Sequence, residues 1–173
     1  MVLDWGIHLL DQALRIGEGR KLISVYAELT NVTNEECDDG FRVTLIFEGD
    51  LSMYVEVTTS NFIELPRWYI LGENGSAVIN DWDLNGEIVK VSDWETAGVG
   101  LTKTMAPRTD DTIKHYPLPK VDSSWTQFYE NVFAALRGEE EQLITHDQQR
   151  RLLKLVDAIF ESGNENKVVF FDK

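Results

Sequence analysis

A single cysteine, Cys37, in 173 residues excludes any intrachain disulfide. It fits a reducing compartment, and nothing in the neighbouring sequence marks the thiol as reactive. Basic residues are scarce: 16 Lys and Arg stand against 30 Asp and Glu, a formal net charge of −14. Nucleic acid and anionic membrane both demand clustered cations, so neither is an expected partner. The acidic surplus reads as a solvated surface. No apolar run reaches the roughly 18 residues of a membrane span, and no basic stretch leads into an apolar one at the N-terminus, so neither a transmembrane helix nor a secretory signal is expected. The cytoplasm is the expected location. Without a secretory route, Asn31-Val32-Thr33 and Asn74-Gly75-Ser76 are chance matches to the glycosylation triplet. Also missing is a Gly-x-Gly-x-x-Gly between strand and helix, the fingerprint of dinucleotide binding. The nearest text, Gly72-Glu73-Asn74-Gly75, falls in a turn. His8, His115 and His146 have no ligand spacing, so no metal is expected. With no repeat, low-complexity tract or linker, residues 1–173 are expected to form a single domain.

What is present reads as alternating secondary structure. Residues 4–17 suit a helix with Ile7, Leu10 and Leu14 on its apolar stripe, closed at Gly17 and Gly19. From Lys21 the period becomes two, Ile23, Val25, Ala27 and Leu29 alternating with Ser24, Tyr26, Glu28 and Thr30. A polar loop, 31–40, leads to two β-rich runs, Phe41–Glu48 and Leu51–Thr58, with Gly49-Asp50 suited to a two-residue type II′ turn. A second hairpin is expected from Arg67–Leu71 and Ser76–Ile79, with Asn74-Gly75 supplying positive φ. Short strands follow at Glu87–Val91 and Thr112–Tyr116, separated by an irregular excursion, Trp94–Asp111. Asp122-Ser123-Ser124 then caps a helix bearing Trp125, Phe128, Val132 and Leu136, which Gly138 ends. Thr145 and Gln148 form a second capping box ahead of a helix to Gly163, and Lys167–Phe171 is a last strand. This order predicts an α+β fold with an open, mostly antiparallel sheet and helices packed on one face. Tyr26, Met53, Trp68 and Ile70 place large apolar groups on more than one sheet face, which predicts a homo-oligomer, a dimer built sheet against sheet.

The leading helix carries the chemistry. Asp4, His8, Asp11 and Arg15 recur at i, i+4, i+7 and i+11, one helix face bordering the apolar stripe. A carboxylate one turn from an imidazole orients the ring and fixes its tautomer, as acid–base catalysis requires. The same Asp4 also suits the positive end of a helix dipole, so spacing alone leaves both readings open.

Val2-Leu3-Asp4-Trp5-Gly6-Ile7-His8-Leu9-Leu10-Asp11 resembles the opening of the C-terminal domain of the Gfo/Idh/MocA oxidoreductases, the glucose–fructose oxidoreductase and inositol dehydrogenase family. Tyr69–Val78 looks like that family's sheet, and Thr145-His146-Asp147-Gln148 through Ser162-Gly163 like its final segment. The resemblance implies a substrate-side and oligomerisation domain that works beside a Rossmann domain, absent from this chain, holding NAD or NADP. It implies hydride transfer to or from a sugar, cyclitol or related alcohol, with His8 as acid–base residue and Asp4 as its partner. No cofactor is expected on this chain, and alone it is expected to be inactive. Asp11 matches a second family aspartate and is left outside the catalytic pair. The family's Glu-Lys-Pro motif is absent, as are the glycines that normally precede the aspartate.

A stand-alone binding or scaffolding module that kept the fold and lost catalysis is the rival reading. A hydrolase using Asp4 and Asp11 as paired acids is disfavoured because His8 lies between them. Trp68 or Trp82 could act as a sugar-stacking platform, although tryptophans mostly serve cores and interfaces. Glu139-Glu140-Glu141 reads as a solvated loop.

Overall fold

The computed structural model describes residues 1–92, 107–121 and 124–171. Trp94 and most of the excursion assigned to Trp94–Asp111, and Asp122 and Ser123 of the first cap, lie outside the described residues. Among those described, the chain forms α1 (Ile7–Ile16), β1 (Leu22–Thr30), β2 (Gly40–Phe47), β3 (Ser52–Thr58), β4 (Trp68–Gly72), β5 (Gly75–Ile79), β6 (Gly86–Val91), β7 (Ile113–Pro117), α2 (Trp125–Leu136), α3 (His146–Glu165) and β8 (Val169–Phe170). The α+β class and the open antiparallel pairing hold. Hydrogen bonding divides the strands into two four-stranded sheets, ordered β3-β2-β1-β8 and β4-β5-β6-β7. The chain accordingly parts into two compact units, one of Met1–Phe62 with Trp125–Lys173 and one of Ile63–Ser124.

In the first unit, α1 and α3 cover one face of the first sheet. Alternation in β1 and β2 turns Val25, Ala27, Phe41, Val43, Leu45 and Phe47 inward, where they meet Leu10, Ala13 and Leu14 of α1 and Leu152, Leu155, Val156 and Ile159 of α3. Met53 packs against this core, so it belongs to the covered face. The opposite face mixes charged groups with exposed Ile46, Tyr54 and Phe170. Arg42 lies across from Glu28 on one neighbour and Glu56 on the other, and its Nε donates to Glu56 Oε1 at 3.1 Å.

Several local expectations are corrected. The β2–β3 connection takes three residues, because Phe47 N–H donates to Leu51 O, and both Gly49 and Asp50 have positive φ. Arg20 secures it by donating to the carbonyl oxygens of Glu48 and Gly49 at 3.3 and 2.8 Å. The β4–β5 turn lies at Gly72–Gly75 as expected, with Glu73 and Asn74 at its centre, but neither Asn74 nor Gly75 adopts positive φ. The last helix continues past Gly163 to Glu165 and stops at Asn166, whose φ of 49° and ψ of 49° form a left-handed cap. Gly163 is there for proximity: a Cβ would come within 2.5 Å of Leu29 Cγ on β1.

Helix α2 leaves its apolar stripe open, with Trp125 91% exposed and Phe128, Tyr129, Phe133 and Leu136 exposed as well. Its buried polar residue, Asn131, ties down the following loop by accepting from Leu143 N–H at 2.9 Å and donating to Glu141 O at 2.9 Å. In the second unit no residue of β4–β7 is fully buried. Pairing puts Ile70, Ala77, Ile88 and Tyr116 in one row across that sheet.

Candidate active-site face

The segment before α1 is wound more loosely than an α-helix. Val2–Gly6 forms a π turn, in which Gly6 N–H donates to Met1 O across five residues at 3.1 Å. Its cause is local. Val2 is fully buried, Gly6 is buried, and a Cβ on Gly6 would lie 2.7 Å from Phe41 Cε1. Bringing this backbone down onto the Phe41 ring is possible only without a side chain. Val2, Gly6 and Leu10 therefore form the anchored line of the segment, and the residues between them point elsewhere. π-Helical turns are frequent at functional sites because the extra residue re-aims the side chains around it.

Asp4 and His8 occupy the outward side. Both are exposed, with Asp4 in the π turn and His8 in the first turn of α1. Among the described residues no hydrogen bond joins them. Leu3 and Trp5, which flank Asp4 in sequence, are also exposed. The expected helix over 4–17 thus begins as a π turn, and the four-residue spacing of Asp4 and His8 crosses the junction between two helix types.

Asp11 has a different setting. Its Oδ2 accepts from Arg15 Nε at 3.1 Å, and with Leu14, Arg15, Glu18, Gln148 and Arg151 it lines a small pocket between α1 and α3. Arg151 Nη2 is enclosed there without a hydrogen-bond partner. The Asp11–Arg15 pair lies within α1, one helical turn apart.

Sequence reasoning missed the loop that holds the π turn. Asp38 Oδ2 accepts from Val2 N–H at 2.6 Å, and Asp38 O accepts from the Met1 nitrogen at 2.9 Å. Asp39, next along, organises the loop from within. Its carboxylate accepts from the Thr33 amide, from the Thr33 hydroxyl at 2.9 Å and from the Asn34 amide at 3.2 Å. These donors, the Thr33 amide foremost and the Val32 amide next, hold the Asp39 carboxyl down from its ordinary 3.8 to about 2. The adjacent aspartates were visible in the acidic stretch of residues 35–39. Their partners were not, because amides from residues 1–2 and 32–34 converge only in the folded chain.

The other residues singled out in the sequence lie elsewhere. His115 is on β7, where its Nδ1 pairs with Glu87 Oε2 at 2.6 Å. His146 opens α3. Trp82 carries the Arg67 guanidinium 3.6 Å from its ring centroid, and Trp68 begins β4. No cluster of three or more metal-ligating side chains occurs among the described residues, and none of their helices is long and apolar enough to cross a membrane.

Comparison with known proteins agrees with this architecture. Residues 1–78 match the model of the GFO/IDH/MocA C-terminal domain. An NAD-binding protein from Listeria innocua is 40% identical, with a TM-score of 0.88 over 99% of this chain and 51% of its own. The WlbA dehydrogenase from Bordetella pertussis, solved in complex with NADH and UDP-GlcNAcA, shares the fold at 20% identity, with a TM-score of 0.66 over 99% of this chain and 45% of its own. No curated protein matches. The chain spans about half the length of these solved structures. With its exposed Asp4–His8 turn, its α+β architecture and these likenesses taken together, the chain belongs to the Gfo/Idh/MocA oxidoreductase family as a C-terminal domain.

Proposed function

We propose that this chain is the substrate-side domain of an NAD(P)-dependent oxidoreductase acting on a sugar, cyclitol or related alcohol. The observation that carries the reading is the outward presentation of Asp4 and His8 from a turn anchored by Val2 and Gly6. Oxidation of an alcohol removes a hydride from carbon and a proton from oxygen. A nicotinamide held by the intact protein would supply the hydride acceptor, and His8 of this chain takes the proton from the hydroxyl oxygen. Asp4, four residues earlier, binds and steers the hydroxyl. Both residues are carried by the segment that Val2, Gly6 and Leu10 anchor to the core. In the reverse direction His8 returns the proton to the developing alkoxide.

NAD or NADP is held by a Rossmann domain outside these 173 residues. Support comes from the absent Gly-x-Gly-x-x-Gly and from the NAD-binding Listeria innocua protein, about half of which this chain spans. On this reading the 173-residue chain does not turn over alcohols by itself. The protein works in the cytoplasm, consistent with its lone cysteine. A homo-oligomer forms through the open sheet, a reading supported by the exposed Ile70 and Tyr116 in one row across it.

Titration of NADH by its fluorescence tests the division of labour. The 173-residue chain is expected to leave NADH unbound at micromolar concentration, and the intact protein is expected to bind it. Micromolar affinity in the chain alone contradicts the proposal. An intact protein that neither binds nor reduces NAD or NADP points instead to a non-catalytic module of the same fold.

A further inference from the structure

We propose that the β4–β7 sheet meets a second copy of itself with its strand ends exchanged, so that Lys90 and Lys114 of each copy lie against the partner's Asp83. The inference rests on the reading that copies associate through this sheet, and it adds the direction in which they pair and the charges that choose it.

The register sets Lys90 on β6 directly opposite Lys114 on β7. Like charges in that position destabilise a sheet. Both lysines are exposed, and among the described residues neither has an acidic partner, although the chain holds 30 acidic residues. Lys90 Nζ lies 5.5 Å from the centroid of the Tyr116 ring. Gly72 and Gly75 complete this row, so the two lysines are its only side chains. Two positions along each strand, on the same face, runs the row of Ile70, Ala77, Ile88 and Tyr116. The other face treats its charges differently. There Glu87 and His115 pair with each other at 2.6 Å.

At the far end of the strands the sign reverses. The β5–β6 pairing runs from Gly75 opposite Lys90 to Ile79 opposite Gly86, roughly 13 Å along the strand, and the loop beyond carries Asp81 and Asp83. Asp81 shapes that loop. It accepts from the Asn85 side chain at 2.7 Å and from the Asp83 and Asn85 amides at 3.0 Å, bonds that hold its carboxyl below the ordinary range. Arg67, stacked over Trp82, adds its charge to Asp81. Asp83 is exposed, and its carboxylate has no partner among the described residues. Two copies of a sheet packed face to face are related by a two-fold axis lying in the interface. An axis along the strands lays lysine end on lysine end. An axis across them lays each lysine end on the other copy's aspartate end. The apolar row is midway between the ends and is covered under either axis, so charge makes the choice, and it selects the second.

Sedimentation equilibrium of the intact protein gives the dissociation constant between copies for the natural sequence, for Lys114→Glu, for Asp83→Lys and for an equimolar mixture of the two variants. Each contact occurs twice in a symmetric pair, so each variant alone is expected to associate about tenfold more weakly. In the mixture every lysine again meets a carboxylate, and association is expected to return to within about threefold of the natural value. A contact inside one chain would not be repaired by mixing. Lys90→Glu in place of Lys114→Glu is expected to give the same pattern, which guards against a folding defect in either variant. Variants that associate as tightly as the natural protein overturn the proposal, as does a mixture no tighter than its components. Ile70→Asp separates this failure from failure of the sheet interface. If Ile70→Asp dissolves the pair while the charge variants leave it intact, the copies meet through the sheet in another direction and only this proposal falls. If Ile70→Asp associates as tightly as the natural protein, or the natural protein has a single-chain mass at micromolar concentration, the sheet interface falls and this proposal with it.

Discussion

A methyl group added at Gly6 would sit 2.7 Å from the Phe41 ring, which is itself almost fully buried. Two effects then oppose each other. Alanine improves helix propensity by up to ~1 kcal/mol, whereas overpacking a closed core costs about 1–3 kcal/mol. Phe41 has no room to retreat, so overpacking wins. Gly6→Ala is expected to lower the unfolding free energy in urea by about 1–2 kcal/mol. It should also weaken alcohol oxidation in the intact protein, because the turn carrying Asp4 must shift. Asp39 gives a prediction in pH. Its folded carboxyl titrates at about 2 against an ordinary 3.8, so the folded state binds this proton less tightly than the unfolded chain. The stabilisation is complete above the higher value and is lost as pH falls from about 4 towards 2. Denaturation measured across that window should show a shallower loss in Asp39→Asn than in the natural sequence, and a lower stability for the variant at neutral pH. Identical slopes would remove Asp39 from the account.

Elements built from short-range rules were legible from residue order alone. The Thr145–Gln148 capping box is an example. Thr145 Oγ1 accepts from Gln148 N–H at 3.2 Å, and Gln148 Oε1 accepts from Thr145 N–H at 2.9 Å. Thr145→Ala is expected to cost ~1 kcal/mol, read as a shift in the denaturation midpoint. The β1 alternation and the α3 stripe were equally readable, since period alone assigns their faces. Features set by tertiary approach were hidden. Gly163 looks like a helix stop, yet the helix runs on, because the glycine answers Leu29 on β1. Beside it the buried Ser162 hydroxyl accepts from Ala27 N–H at 2.9 Å and donates to Lys167 O at 2.5 Å, joining the end of α3 to β1. A serine and a glycine carry no local signal for such a junction. The candidate site divides the same way. Asp4 and His8 could be picked out by spacing and resemblance, while the π turn depends on Phe41, thirty-five positions from Gly6, and could not.

At the scale of the molecule, the unpartnered surfaces carry the remaining expectations. The row of Ile70, Ala77, Ile88 and Tyr116 lies on a sheet without a fully buried strand residue, and it is the surface on which the proposed oligomer would form. A stable pairing needs about 800 Å² from each partner, an area that a four-stranded sheet face can supply. Light scattering of the intact protein is expected to give a mass of two or more chains, reduced in Ile70→Asp; a single-chain mass at micromolar concentration removes the proposed oligomer. Division of chemistry between polypeptide segments is the larger claim, with proton transfer on this chain and hydride transfer on a dinucleotide held beyond it. Its most direct measurement is the rate of NADH formation by the intact protein on its alcohol substrate, compared between the natural sequence and His8→Ala at equal folded concentration. The account predicts a fall in kcat of about 10²–10⁴-fold with NADH binding unchanged. An unchanged kcat contradicts it.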